Sequence, residues 1–377
     1  CLSRGLGDVY KRQIINMTIQ TIPPMLTNDP KQRPAVGVWA TSFNYLVPMV
    51  VSIALNVIIL RLAGGQFNVS YLRMAVKMVI FMGLIGNILC CIGISAIDKP
   101  ENFRGTKKAE PLKLKDMIEV LRHNKPLQSY IVAAASDKIA QVTASQSIIG
   151  TLLYGIMIGN MGMSTILGMV SMLPAIIFAI FGAKYTGKHG SKKAIVDWTV
   201  VCMVLAAILT VFFLVINPAT IAKPGITMGI YVILNLALNG CKMCVSTANA
   251  SFMADTIDYE LDRSGRYIPA VVSGVYSLID KIISSFGAVI ATTAIAAIGY
   301  THTVPQPGEP STAGIVAIAL SVTYGLPIGG WIVTLIAMRK CQLTKEEMVG
   351  VQKRIDHEKQ AAQKEFFEAE LNKADCY

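Results

Sequence analysis

The chain has 377 residues, of which 53% are hydrophobic and only 15% are charged, and its formal net charge is +11. Soluble globular domains carry about 25% charged residues, so this composition excludes an ordinary soluble protein and favours membrane helices. The basic residues lie in short segments between apolar runs, a distribution that membrane topology explains. Nucleic-acid binding is therefore not expected.

The first thirteen residues, Cys1–Gln13, have neither a targeting pattern nor an apolar core. They look like a translated sequencing adapter, so we treat them as non-native and exclude them from the fold. The remaining chain begins at Ile14 inside an apolar run, without an initiator methionine. This indicates an N-terminally truncated fragment.

Eight apolar runs are long enough to cross a bilayer, which takes about 20 residues of helix. A shorter run, Ile14–Met25, looks like the end of a ninth span. The eight candidates are Val38–Leu60, Met74–Ile97, Leu127–Ile158, Ser164–Ala183, Ile195–Ile216, Ile226–Phe252, Ala270–Ile298 and Gly314–Met338. The sequence therefore predicts an all-α, polytopic membrane protein.

The connecting segments alternate in charge along the chain. Basic residues concentrate in Leu26–Gly37, Pro100–Pro126 and Lys184–Lys193. The intervening connections carry few or none, and these are Gly159–Met163, Asn217–Gly225 and Gly299–Ala313. Because short basic loops stay in the cytoplasm, we expect the basic segments and the tail from Arg339 to face that side. The tail alternates in sign, which predicts a solvated helix.

The long basic segment follows the second full span, and restoring the missing spans gives six helices, a cytoplasmic loop and six more helices. That layout is typical of transporters built from two repeated halves. The predicted organisation is the C-terminal part of the first half in residues 14–97, a middle loop in 98–126, the second half in 127–338 and a tail in 339–377.

Two predicted spans contain an aspartate followed by a lysine, Asp137-Lys138 and Asp280-Lys281. A charge at membrane depth costs about 2.5–3.5 kcal/mol, so it persists where it is paired or hydrated. Neighbouring helix residues point about 100° apart, so neither dipeptide is expected to close on itself. Cross-pairs such as Asp137 with Lys281 would compensate two charges at once. Two interpretations stay open, a structural ion pair and a coupling-ion or substrate site.

Neutral polar residues extend these charged faces. Asn235 and Asn239 share one face of a predicted span, and Gln141 follows Asp137 by one helical turn. These side chains either hydrogen-bond between helices or contact sugar hydroxyl groups. Lys242, toward the end of the same span as the asparagines, is expected to extend to the membrane interface.

The segment Met253–Arg266 is predicted to be a loop, as is the glycine-rich basic segment Gly182–Lys193. The first has four acids and two arginines on the side where lysine and arginine usually dominate, namely Asp255, Asp258, Glu260, Asp262, Arg263 and Arg266. It is interpreted either as a charge-paired gate or as an ordinary capped turn.

The stretch from Met253 to Lys281, MADTIDYELDRSGRYIPAVVSGVYSLIDK, resembles a signature of the glycoside–pentoside–hexuronide:cation symporters, the melibiose-permease-like branch of the major facilitator superfamily. Asp255 and Asp258-Tyr259 match its D-x-x-[DE]-Y motif, and Ser264-Gly265-Arg266 matches [ST]-G-[KR]. Lys281 falls at the position of the lysine on helix 11 that the family uses in cation and sugar binding. Tyr267–Ala270 departs from the usual R-x-E-G, which indicates a divergent subgroup.

The resemblance implies a major facilitator fold from the end of helix 4 to helix 12. It implies a monomeric carrier in the cell membrane, with a cytoplasmic C-terminus, that takes up a sugar together with Na⁺ or H⁺ by alternating access. No cofactor is expected beyond the coupling ion. The expected substrate- and cation-binding residues are Lys281, Asp280, Asp137, Lys138, Ser277, Asn235, Asn239 and Gln141, and the expected cytoplasmic gate is Asp255, Asp258, Tyr259 and Arg266.

The resemblance places the family's main cation and sugar aspartates on helices 1, 2 and 4, which this sequence does not contain. The chain as it stands is therefore expected not to transport. Two alternatives remain, a carrier of a lysolipid or organic anion and an integral-membrane enzyme. An enzyme is not expected, because the four histidines are scattered and no nucleophile–base set is evident. Cys241-x-x-Cys244 has metal-ligand spacing but no second ligand pair, so a metal site is not specified.

Overall fold

The computed structural model describes residues 33–59, 62, 69–95, 114–265, 269–301 and 303–357. Within them the secondary structure is helical, with no β-strand. The segments Cys1–Gln13 and Ile14–Met25, most of the predicted middle loop and Arg266 lie outside the described residues. The chain divides into two compact units, residues 40–110 with 354–377, and the remainder up to Lys353.

The described residues form twelve α-helices, and the first continues as a π-helix over Ala54–Ile59. They are α1 (Arg33–Ile53), α2 (Val69–Ser95), α3 (Leu114–His123), α4 (Lys125–Ala144), α5 (Ser147–Gly150), α6 (Met161–His189), α7 (Ser191–Val215), α8 (Ile226–Ser264), α9 (Pro269–Ala296), α10 (Ala313–Leu320), α11 (Leu326–Lys340) and α12 (345–357). Two further π-helices, Thr151–Met157 and Ser321–Gly325, extend α5 and join α10 to α11.

Five helical segments of the described chain are long and apolar enough to cross a membrane. A sixth is added if α6 counts as one span, since it bends by 43° next to Pro174. A proline causes such a bend because it removes a backbone donor and crowds the preceding turn. These helices, together with the absence of strands from the described residues, confirm the predicted all-α, polytopic membrane fold.

The predicted span Leu127–Ile158 is interrupted after Ala144. The Ser145 hydroxyl and the Gln146 amide both donate to the backbone oxygen of Val142, at 2.9 and 3.1 Å. Side chains that hydrogen-bond to the local backbone compete with the helical pattern, and here the helix ends at that point.

The two predicted polar loops are helical instead. Helix α8 continues to Ser264 and ends where Gly265 adopts a φ of +65°. Helices α6 and α7 are separated by a single residue, Gly190, with a φ of +89°. Charged residues extend a helix as readily as apolar ones, and only the glycines supply the left-handed conformation that ends it.

The tail contains the predicted helix, α12, and its charged residues are exposed as expected, but one face of the helix is buried. Met348 and Val351 lie three residues apart on one face and are buried. The Lys345 ammonium donates to the backbone oxygen of Lys188 at 2.7 Å, and the Lys192 ammonium donates to that of Cys341 at 2.5 Å. The tail thus packs on the turn between α6 and α7.

Glycines set the separation of α6 and α8. A Cβ atom on Gly182 would lie 2.7 Å from the Cα of Cys244, and one on Gly240 would lie 2.5 Å from the Phe178 ring. The Cys244 thiol donates to the Phe178 backbone oxygen at 3.1 Å. Small residues at such crossings let membrane helices approach closely.

We expect Gly182→Ala to lower the melting temperature of the detergent-solubilised protein by several degrees. The added methyl group meets backbone, which cannot move aside, and overpacking costs about 1–3 kcal/mol. Gly168→Ala on the same helix is the matched control, because no atom lies within 4 Å of the new Cβ. Equal melting temperatures for the two variants would contradict the close contact.

The connection between α9 and α10 has its own hydrogen bonds. The Tyr300 hydroxyl donates to the Glu309 carboxylate, which also accepts from the backbone N–H of Gln306 at 3.0 Å. The Gly308 N–H donates to the Gly155 oxygen at 3.2 Å and attaches the connection to the π-helix after α5. The hydrogen bond to Glu309 raises the pKa of Tyr300, because the carboxylate favours the protonated phenol.

A raised pKa in the folded state means that this hydrogen bond stabilises the protein below the ordinary tyrosine pKa of about 10. The contribution is lost as the pH rises through the folded-state value. In a spectrophotometric titration, Glu309→Gln should shift one tyrosine to lower pH, and Tyr300→Phe should remove that transition. An unchanged titration curve in Glu309→Gln would refute the assignment.

Candidate functional site

Three charged side chains meet between α4 and α9. The Lys138 ammonium lies 3.5 Å from one oxygen of Asp280, and the Lys281 ammonium lies 3.8 Å from the other. The Asp280 side chain is 14% exposed, Lys138 34% and Lys281 63%. The Asp280 carboxylate therefore compensates two ammonium groups, and the Lys281 side chain is the more exposed of the two lysines.

The expectation that neither dipeptide closes on itself is wrong for Asp280-Lys281. The two Cα–Cβ bonds diverge on the helix, but the flexible four-carbon stem of a lysine is long enough to bring its ammonium back to the preceding carboxylate. The Asp137-Lys138 dipeptide behaves as expected, because its two side chains contact different helices.

A second group joins α4, α8 and α11. The Trp331 indole N–H donates to an Asp137 carboxylate oxygen at 3.1 Å. The Lys242 ammonium lies 5.8 Å from the centre of the Trp331 ring. The predicted pairing of Asp137 with Lys281 is therefore wrong, and Lys242 contacts a buried ring instead of extending to the interface.

Close packing of α4 and α11 brings Trp331 to Asp137. A Cβ atom on Gly330 would lie 2.8 Å from the Ser136 backbone oxygen. The Ser136 hydroxyl donates to the Gly330 oxygen at 3.0 Å, and Thr334 donates to the Ala133 oxygen at 3.3 Å. Only a glycine at position 330 allows this approach, which places the next residue against the carboxylate.

The remaining candidates for substrate binding differ in how far their side chains are buried. The Asn239 amide donates to the Asn235 carbonyl oxygen at 2.8 Å, and both side chains are half-buried. Gln141 is exposed, whereas Ser277 is buried one turn before Lys281. Among the residues that the structure describes, no three His, Cys, Asp or Glu side chains converge as metal ligands.

The predicted gate residues lie on the polar end of α8. Asp255 accepts from the Ser191 hydroxyl at 2.7 Å, Asp258 accepts from the Gln352 amide of α12, and Tyr259 is half-buried. Two of the three thus contact other elements of the same unit. The fourth candidate, Arg266, lies outside the described residues.

Glu260 is one of the acids of the predicted gate segment but not one of the four expected gate residues, and only 1% of its side chain is exposed. It accepts from the Asn124 amide at 2.9 Å and pairs with Arg263 at 2.7 Å. Asn124 also caps α4 by accepting from the Leu127 N–H at 2.8 Å. The Asn-Lys-Pro sequence could have indicated the cap, but not a partner 136 residues away.

Asn124 both caps α4 and donates to Glu260, and substitutions can separate these two roles in the protein without substrate. Asn124→Asp keeps the cap acceptor but places a second carboxylate against Glu260, whereas Asn124→Ser keeps a cap without that charge. We expect the aspartate variant to melt several degrees lower than the serine variant. In a Glu260→Gln background the difference should vanish, and a difference of the same size there would contradict the contact.

Comparison with known protein families identifies the family of this chain. The model of the MFS/sugar transport protein family matches residues 14–345, which is most of the chain. A comparison with curated proteins gives no match. The matched region contains every membrane-length helix described above as well as both charged clusters. The chain therefore belongs to the MFS/sugar transport protein family of the major facilitator superfamily.

Proposed function

We propose that the protein is a secondary active transporter that takes up a glycoside, pentoside or hexuronide together with Na⁺ or H⁺. The observation that carries the proposal is the Lys138–Asp280–Lys281 cluster on two helices of a sugar-transport family member. Such charges are costly within a membrane and are typically found along substrate and ion pathways. The proposed location is the cell membrane, with the C-terminus in the cytoplasm. The proposed protein is a monomeric carrier and not an enzyme.

The proposed coupling step exchanges the partner of a carboxylate. Lys281 is the most exposed member of the cluster, and its ammonium lies further from Asp280 than that of Lys138. A coupling cation can therefore take the place of Lys281 at Asp280, while Lys138 stays. The released ammonium would then interact differently with the open and closed states, and only such a differential interaction shifts an equilibrium.

Neutral polar groups supply the proposed sugar contacts. The side-chain amides of Asn235 and Asn239 each carry an NH₂ donor beside a carbonyl acceptor, a combination that suits neighbouring sugar hydroxyls. Gln141 is exposed on α4, beyond Asp137. The hydrogen bonds of Asp255, Asp258 and Glu260 lie at the other end of α8, where they would hold the proposed cytoplasmic gate.

One observation favours the lysolipid alternative. A cavity of about 710 Å³ lies between α7, α10 and α11. Its lining is largely apolar and includes Val211, Leu214, Val316 and Leu320. An acyl chain could occupy such a space. The cavity contains none of the charged residues of the two clusters, so a lysolipid carrier would leave those charges without a role in binding.

Uptake into membrane vesicles separates these functions. With the protein expressed from its full gene, we expect labelled galactoside, xylose or glucuronide to accumulate under either an imposed Na⁺ gradient or an imposed H⁺ gradient. Lys281→Ala should reduce this accumulation at least ten-fold, because Asp280 loses the partner that the cation replaces. Lys193→Ala, which removes an exposed lysine outside the cluster, is the control.

If no sugar accumulates under either gradient while the protein is present in the membrane, the symport proposal fails. Labelled lysolipid in the same vesicles then tests the alternative. Sugar uptake that is insensitive to Lys281→Ala would retain the substrate class and reduce the cluster to a structural ion pair.

A further inference from the structure

A polar stripe runs along α8. Positions 235, 239, 242 and 246 are spaced by four, three and four residues, which places them within a narrow sector of a helix. The first three side chains are half-buried and the fourth is exposed. The stripe consists of Asn235, Asn239, Lys242 and Ser246, and the buried residues beside it are Leu238, Cys241 and Val245. Lys242 is thus aligned with the two asparagines of the proposed sugar contacts.

Within the part of the chain that the structure describes, the Lys242 ammonium has no hydrogen-bond partner. Its ammonium lies over the face of the Trp331 ring, a contact that attracts a cation without using an N–H donor. The indole N–H of the same residue donates to the Asp137 carboxylate, so Trp331 contacts both the ammonium and a carboxylate. An ammonium held over the ring in this way can donate its N–H groups to a ligand at the half-buried polar stripe.

We propose that Lys242 contacts the sugar and contributes to sugar specificity, and that Trp331 positions its ammonium beside Asp137. The inference rests on the proposed function as a sugar transporter. Trp331 is only 2% exposed, so it cannot contact the sugar and acts through Lys242. A sugar whose hydroxyls reach both Lys242 and the asparagine pair is bound at several points of one helix face.

Two pairs of substitutions test the two roles. Lys242→Gln keeps a donor but removes the charge, and Lys242→Arg keeps the charge with a different donor geometry. Trp331→Phe keeps an aromatic face but removes the N–H donor to Asp137, and Trp331→Leu removes both. Lys184→Gln, an exposed lysine on α6, is the matched control.

The measurement is gradient-driven uptake of whichever labelled sugar the wild type accumulates, with KM and Vmax determined separately and normalised to transporter in the membrane. We expect Lys242→Gln and Trp331→Leu to raise KM about ten-fold or more, the range set by losing a hydrogen bond to a charged group. Lys242→Arg and Trp331→Phe should give smaller increases. Lys184→Gln should leave both constants unchanged.

A purely structural role predicts a different result, in which these variants reduce the melting temperature or the amount of transporter and leave KM unchanged. KM values within two-fold of the wild type for Lys242→Gln, or for Trp331→Leu if the glutamine variant does not fold, would overturn the inference while the sugar-transport proposal stands. Absence of any sugar uptake by the wild type would instead overturn the proposed function, and this inference with it.

Discussion

The constraint on which the structure of the larger unit depends is that a charge within a membrane helix needs a counter-charge or a donor on a neighbouring helix. Five charged side chains of α4, α8 and α9 satisfy it in two groups, Lys138–Asp280–Lys281 and Asp137–Trp331–Lys242. They comprise three lysines and two aspartates, so one positive charge is in excess. Of these five residues only Lys281 is exposed, so the excess positive charge is accessible there.

Helix α4 connects the two groups. Asp137 and Lys138 point about 100° apart on it, toward α11 and α9 respectively. Both neighbours approach closely through a glycine, since a Cβ on Gly330 would meet Ser136 and one on Gly287 would lie 2.4 Å from a Val142 methyl. A displacement of α4 would therefore change both charged groups together. This is a physical route by which occupancy at one group can affect the other, because the two share a rigid element.

Hydrophobicity was sufficient to predict an all-α membrane fold, since the span of a bilayer sets the length and composition of its helices, but eight spans were predicted and five or six described segments are of membrane length. It failed where polar side chains decide the local structure, as at Ser145 and Gln146, and where charged residues continue a helix, as in α8. The candidate site was predicted only in part. Helical spacing identified Asn235 with Asn239 as neighbours, but the partners of Asp137 and Glu260 come from helices nearly 200 and 140 residues away along the chain. Nothing in a single sequence specifies which distant side chain such a carboxylate meets.

The two charged groups differ in a way that bears on coupling. In the Asp137 group, the carboxylate is held by an indole whose ring also supports Lys242, and this ring is buried among α4, α8 and α11. In the Asp280 group, one of the two lysines is largely exposed and can leave without opening the helix contact that holds the other. An ion pair fixed on both sides cannot respond to a cation, whereas one with an exchangeable partner can. The proposed coupling therefore assigns the cation exchange to Asp280, and the proposed sugar contact of Lys242 assigns the orientation of the sugar to the Asp137 group.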